Sequence, residues 1–456
     1  MSEMPSSIVD GTMDGIGRPA AGNRVPKLSL SPERLRVWGL RSALALFDQG
    51  FTSATGFGVN YLLARWLQAE IYGAFAVSFA GFLFVAGFHN VILLEPLSVI
   101  GPSRYPESLR EYFGAQIAVH LILVGVFSAV VFPANLVLWR VYPSNPLSGS
   151  VTGCCLALPF LLLLWLARRM CYAQHRPGIA VAGSIAYFSV VILGLFLLHH
   201  TGNVSPINAF LLMGSASFIA ACILLRQIGV TATSIFPRSM VLCRTAIREN
   251  WAYGRWLVGS AALFSIANQT QTFLVAGFFG LGAAGILRAM QIPSLLMTQI
   301  IGAISLLVLP AFSHDFGRGF VARLRQKALF SSIFLAAMAG CFAILLIFLA
   351  APAEHLLFGG KYSHYAWLIP IFAIMPVATA ASVGSSSALR ASQKTHFDLI
   401  ANAVAAPVCI LSALGFMHWW GLAGAAISMV LSTATTSVVT WLFFYQQPRD
   451  LAGQGS

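Results

Sequence analysis

The residues with most chemistry in this chain lie inside apolar runs. Arg288 stands in Gly285-Ile-Leu-Arg-Ala-Met-Gln-Ile-Pro293, which continues through apolar residues to Leu309-Pro-Ala-Phe312. A guanidinium at hydrocarbon depth costs about 2.5–3.5 kcal/mol on insertion scales. It therefore faces a bundle interior or a watery cavity, or it snorkels from a helix end to the headgroups. In a cavity it would grip anions, because arginine holds phosphate oxygens through two N–H groups at once. A second cluster, Asn268-Gln-Thr-Gln-Thr272 with Ser265 before it, is more polar than helix packing requires. Asn268, Gln269 and Gln271 are cavity candidates on that ground, with interhelical packing as the other use. Asn60 closes a similar small, polar run that begins at Gly50.

Two carboxylates complete the set. An acid in apolar surroundings holds its proton or pairs with a cation. Asp48 is the candidate for a coupling proton or sodium ion, with a salt bridge to Arg41 as the alternative. Glu95, ahead of Pro96, is the candidate for a cytoplasmic mouth. His89 and His120 read as ordinary polar contacts. The seven cysteines form no Cys-x-x-Cys pair and no Cys/His metal spacing, so no metal site is expected. No catalytic set and no phosphate-cradling Gly-x-x-x-x-Gly-Lys-Ser/Thr occurs, so the chain reads as no enzyme and ATP as no direct energy source. No cofactor is expected. Coupling would be to a proton, a sodium ion or the membrane potential.

The elements that must position these residues are membrane helices. Hydrophobic residues make up 58% of the 456 and charged residues 9%, with a mean hydropathy of +0.79; soluble chains carry far more charge. Spanning a core of about 30 Å takes roughly 20 helical residues. Twelve stretches suffice: 39–63, 73–98, 113–138, 151–167, 178–198, 206–226, 254–277, 283–312, 328–350, 365–389, 397–418 and 421–445. The net charge of +13 falls in short loops between them, which argues against nucleic acid.

Loop charge orients the bundle. With the N-terminus in the cytoplasm, the inside stretches hold 23 Lys and Arg, while the outside ones hold only Arg65, Arg140 and Lys361. The positive-inside rule then puts both termini in the cytoplasm of a multi-pass inner-membrane protein. The expected organisation is a disordered tail (1–37), a six-helix lobe (38–226), a linker (227–253), a second six-helix lobe (254–446) and a short tail (447–456). Within the linker region, Met240 to Trp256 reads as an amphipathic helix on the inner leaflet. A shift of 212 residues lays Leu62-Leu-Ala-Arg-Trp-Leu67 over Leu274-Val-Ala-Gly-Phe-Phe279 and Gly73 over Gly285. The repeat is parallel, about an axis along the membrane normal. The polar stretches of the first helix in each half are expected to meet across that axis.

Leu62-Leu-Ala-Arg-x5-Ile-Tyr-Gly73, Leu94-Glu-Pro-Leu97, the turns Arg168-Arg-Met-Cys-Tyr-Ala-Gln-His175 and Leu389-Arg-Ala-Ser-Gln-Lys394, and Gly421-Leu-Ala-Gly-Ala-Ala-Ile-Ser428 together resemble the polysaccharide flippases. These belong to the superfamily that also holds multidrug/cation antiporters and the lipid II flippase. The resemblance covers residues 38–445 and rests on order and topology. It implies two lobes around a cavity that opens alternately to each side, with a polyprenyl-diphosphate-linked glycan as cargo and membrane lipids as surroundings. A polysaccharide polymerase and export machinery would be further partners, for O-antigen, capsule or exopolysaccharide. The segment around Arg288 is similar to one in the lipid II flippases where an arginine lines the cavity. The alternatives are an organic-cation antiporter of the same superfamily and an intramembrane glycan ligase or polymerase. The short outside loops near 139–150 and 351–364 disfavour the latter.

Overall fold

The computed structural model describes residues 32–143, 145–230, 239–317, 321–392, 394 and 396–446. The tail 447–456, residues 1–31 of the other tail and 231–238 of the linker lie outside that range. The chain divides into two compact units, residues 1–43 and 44–456. From Pro32 to its boundary the first is helix, and everything below concerns the second.

All regular structure among the described residues is helical. The twelve helices are α1 (Pro32–Trp66), α2 (Ala69–Arg104), α3 (Leu109–Val141), α4 (Pro146–Ala173), α5 (Pro177–His200), α6 (Pro206–Gln227), α7 (239–279), α8 (281–317), α9 (Val321–Phe358), α10 (Leu368–Ala391), α11 (His396–Trp420) and α12 (Leu422–Gln446). Each corresponds to one of the twelve expected stretches; ten cover theirs in full, while α10 starts three residues after the expected 365 and α12 one residue after 421. The fourth grows from 151–167 to Pro146–Ala173. Its start is set by Pro146 at the first helical position and by Asn145, whose side chain accepts from Leu147 N at 2.9 Å. Ser205 caps α6 ahead of Pro206 in the same way.

Two breaks carry structural weight. α7 and α8 are separated only by Gly280, whose φ of +84° is open to glycine and costly for other residues. α8 runs on through Pro293 with helical backbone angles. Within α2, Asn90–Leu94 forms a π-helical turn.

The two halves, α1–α6 and α7–α12, repeat at the level of single contacts. A Cβ on Gly73 would overlap the carbonyl oxygen of Leu281, and one on Gly285 would overlap that of Ala69. Those four residues are two pairs 212 apart. Ser53 Oγ donates to Gln299 Oε1 at 3.0 Å, and Ser265 Oγ lies 3.0 Å from where a Cβ on Gly87 would sit. These are again the same contact twice. The pseudo-twofold axis therefore passes between α2 and α8, which approach closely because glycine faces backbone. The expected meeting of the polar runs of α1 and α7 does not occur. Each meets the second helix of the other half.

Candidate functional site

We call the end of the bundle carrying Leu44 and Gln446 proximal and the other distal. Arg288 lies two turns into α8 from the distal end. It is half-buried, its Nη1 donates to Gln291 Oε1 at 3.1 Å, and Gln291 Nε2 reaches Met429 Sδ of α12 at 3.1 Å. Across the axis it is within electrostatic reach of Tyr72, whose hydroxyl donates to Asn60 Oδ1 at 3.4 Å. Asn60 Nδ2 in turn donates to Gly56 O at 2.8 Å. Arg288 and Asn60 are thus brought together through Tyr72, by helices of opposite halves. Tyr72 and Gln291 were not singled out from sequence, although each lies one helical turn from a flagged polar residue or glycine.

The polar run of α7 splits by helical phase. Gln271 is fully buried in the C-terminal half, donating to Ser428 Oγ at 2.8 Å and lying 3.2 Å from Cys409 Sγ. This corrects the expectation for Gln271, which ties α7 to α11 and α12 instead of lining a cavity. Asn268 is exposed and bonds back to Phe264 O at 2.8 Å, one turn earlier. Gln269 is half-buried. Neither joins Arg288.

Asp48 anchors a second polar site in the N-terminal half. Oδ1 accepts from Arg168 Nε at 3.3 Å and Ser184 Oγ at 2.5 Å. Oδ2 accepts from Arg168 Nη2 at 2.6 Å and Tyr172 Oη at 2.7 Å. A carboxylate offers about four lone-pair positions, and all are filled. Asp48 joins α1 to α4 and α5 through these four bonds. Its salt-bridge partner is Arg168. Arg168 and Arg169 also depart from expectation. They belong to the last turns of α4, where they line a cavity of about 420 Å³ with Gln49, Thr52, Asn90, Trp165 and Tyr172. Glu95 stands beside this cavity, accepting from Asn90 Nδ2 at 3.0 Å and within electrostatic reach of Arg169. No sequence signal pairs Asp48 with a residue 120 positions away.

The halves are tied at both ends. At the distal end Lys361, after α9, donates to the carbonyls of Ala64 and Leu67, which finish α1. Tyr362 Oη donates to Ala64 O at 3.1 Å. In return Arg65 Nη1 donates to the carbonyls of Leu356 and Leu357, near the end of α9, at 3.1 and 3.2 Å. Each helix C-terminus is capped by a cation from the other half, where orphan carbonyls and the helix dipole favour positive charge. Burial pulls the Lys361 ammonium down to about 8. At the proximal end α7 reaches back to the N-terminal half. Glu249 accepts from Arg104 at 2.8 Å and Tyr105 Oη at 3.1 Å, and Asn250 and Gln116 exchange two buried bonds of 2.9 and 3.2 Å. Burial first, then the bond to Glu249, raises the Tyr105 hydroxyl above its usual range. The expected leaflet-lying helix at 240–256 is therefore the start of α7, anchored on α2 and α3.

This fold is also found in solved transporter structures. The chain matches an inward-facing multidrug resistance MATE family transporter of the MOP superfamily with a TM-score of 0.76, at 13% identity over 90% of this chain and 96% of that one. The outward-facing conformation of a MATE family transporter matches at 0.65, with 13% identity over 90% and 95%. A mutant of the Vibrio cholerae MATE transporter VcmN matches at 0.63, with 14% identity over 91% and 98%. Residues 196–367 match a family described as polysaccharide biosynthesis protein. A sequence comparison with curated proteins finds no match. The chain thus shares the fold of MATE family transporters, with ten helical segments long and apolar enough to cross a membrane among the described residues.

Proposed function

We propose that the protein flips polyprenyl-diphosphate-linked oligosaccharides across the inner membrane by alternating access, with both termini and the proximal end in the cytoplasm. The observation that carries this reading is Arg288, a cation between the halves whose neighbours Tyr72, Asn60 and Gln291 are neutral donors and acceptors. A diphosphate leaving water needs a cation and donors to offset lost hydration. The polysaccharide match over 196–367 includes this residue. Asn268 and Gln269 are left as the sugar-facing candidates of α7, and Glu95 as the group at the cytoplasmic mouth. The exact lobe boundaries, 38–226 and 254–446, belong to the same proposal. So do a polymerase and export machinery as partners. The rival antiporter reading would draw on the acids Asp48 and Glu95 at the 420 Å³ cavity, apart from Arg288.

The test is glycan export in cells carrying Arg288→Lys and Arg288→Ala. Lysine keeps the charge but loses the planar fork. We expect poor export from the first and almost none from the second, at normal protein levels, with lipid-linked glycan accumulating on the inner leaflet. Wild-type export from Arg288→Ala would place the phosphate grip elsewhere.

A further inference from the structure

A chain of two histidines crosses the N-terminal half, separate from Arg288 and from the bonds of Asp48. His89, in α2, is fully buried and His120, in α3, is 1% exposed. His89 Nε2 and His120 Nδ1 are 3.0 Å apart, with the rings crossed at 86°. His120 Nε2 lies 3.2 Å from the carbonyl oxygen of Pro159 in α4.

For neutral rings only one arrangement of hydrogens satisfies both bonds. A carbonyl can only accept, so His120 Nε2 carries its hydrogen and His120 Nδ1 is an acceptor. His89 Nε2 must then donate, which leaves His89 Nδ1 as a bare acceptor. That nitrogen is buried and has no hydrogen-bond partner. Buried polar atoms are seldom left so. The chain therefore ends in one vacant lone pair, in a place too tight for a larger ligand to be assumed.

We propose that His89 Nδ1 binds one proton, and that this is a coupling site of the transporter. A hydronium ion delivers the proton: its O–H bond breaks, water leaves, and the new N–H bond forms on the Nδ1 lone pair. The resulting imidazolium donates through Nε2 to His120 Nδ1 in a charge-assisted bond, and the Pro159 carbonyl stabilises the far ring. A second proton would have to take the Nδ1 lone pair of His120 that holds the chain together. It would also place two cations side by side, so the stoichiometry is one.

The position connects proton binding to movement between the halves. His89 immediately precedes the π turn Asn90–Leu94, and such turns concentrate at functional sites. A Cβ on Gly254 of α7 would lie 2.8 Å from the carbonyl of Val91 in that turn, so the turn bears on the other half. Asn90 lines the 420 Å³ cavity. Around the pair, α3 presents His120 itself, and one turn away Gln116 is bonded to Asn250 of α7. α4 presents the Pro159 carbonyl. Further along, Glu95 on α2 interacts electrostatically with Arg169 on α4 and with Tyr253 on α7. Among the described residues no carboxylate hydrogen-bonds to either ring. The cation thus gains little from the closed packing and favours a form in which the π turn admits water. Proton binding and the state of α2 are linked, each biasing the other.

The experiment needs no cargo. Full-length protein labelled with 15N in the histidine rings is placed in lipid nanodiscs and followed by NMR as pH falls. We expect two Nε2–H tautomers joined by nitrogen–nitrogen coupling through their shared hydrogen, so the pair identifies itself without a variant. Acidification should add one proton that moves both signals together, and amide exchange at 90–94 should accelerate. His89→Gln and His120→Gln, where they purify as single species, should each lose that one-proton uptake. Two independent titrations, or a pair that stays neutral while the protein remains folded, would overturn the site. A one-proton titration with unchanged exchange at 90–94 would overturn the coupling.

Discussion

The two ends of the bundle are tied by different chemistry. The distal clasp sets side-chain donors against backbone carbonyls, four of them, drawn from the ends of α1 and α9. The proximal tie sets side chain against side chain, one carboxylate and one amide pair. A carbonyl acceptor can be neither mutated nor protonated, so the distal clasp depends only on its donors. The proximal tie can be dismantled from either partner. In an alternating-access machine the two must break in turn, and their chemistry makes them separately addressable.

The largest effect should come from removing both distal cations. Arg65→Ala with Lys361→Ala takes away four bonds of a kind worth about 1.5–3 kcal/mol each, before discounting for exposure. We expect the distal-open population to rise by more than about tenfold, read as a longer distance between spin labels at Asn203 and Trp419. An unchanged distribution would mean that the glycine contact of α2 and α8 alone holds that end shut. Next comes the buried amide pair. Gln116→Leu or Asn250→Leu strands a buried partner and should cost about 1–3 kcal/mol, seen as a lower unfolding midpoint in detergent. The double variant should recover part of that loss, and simple additivity would show that the two amides do not depend on each other.

Glu249→Gln should matter less. Arg104 is 65% exposed, and such ion pairs contribute about 0–1 kcal/mol. Its sharper readout is Tyr105, whose ionisation, followed by ultraviolet absorbance, should move down yet stay above the usual tyrosine range, because burial is the larger cause. The smallest effect is that of pH on Lys361. With its ammonium at about 8 in the clasp and near the ordinary lysine value of 10.5 when released, the closed form binds fewer protons between those values. Raising pH through that window should therefore favour closure slightly, water around the exposed side chain taking up most of the difference. The same spin-label pair measures it, and opening with alkali would reverse the assignment.

Much of the architecture was legible because apolar length, loop charge and a 212-residue echo survive in sequence without any knowledge of packing. The twelve helices and their pairing into halves follow from such signals, whereas the contact of Gly73 with Gly285 does not. The site was less legible. Gln271 and Asn268 share one polar run, but helical phase sends the first into the core toward Ser428 and the second outward. Nothing in the run itself reveals which face is which. Arg168 and Arg169 looked like loop cations because the apolar stretch ends before them, while the helix does not. Arg65 and Lys361 were counted as stray outside charges because their acceptors are backbone atoms, and a carbonyl leaves no trace in the order of side chains.

The doubled glycine contact has a consequence for what half of this chain is. Gly73 on Leu281 and Gly285 on Ala69 form a self-complementary surface, in which each patch is also the patch it binds. That is the isologous geometry of a C2 homodimer, drawn within one polypeptide. Two separate six-helix chains carrying this surface would have what they need to pair. Fusion into one chain removes the demand that both copies stay alike, and the freedom has been used. Gln299 answers Ser53 with a hydrogen bond, whereas the equivalent serine, Ser265, meets only Gly87. Arg288 likewise has Ala76 as its counterpart 212 residues earlier. A symmetric dimer would have to bear two arginines at that depth, and the fused chain bears one.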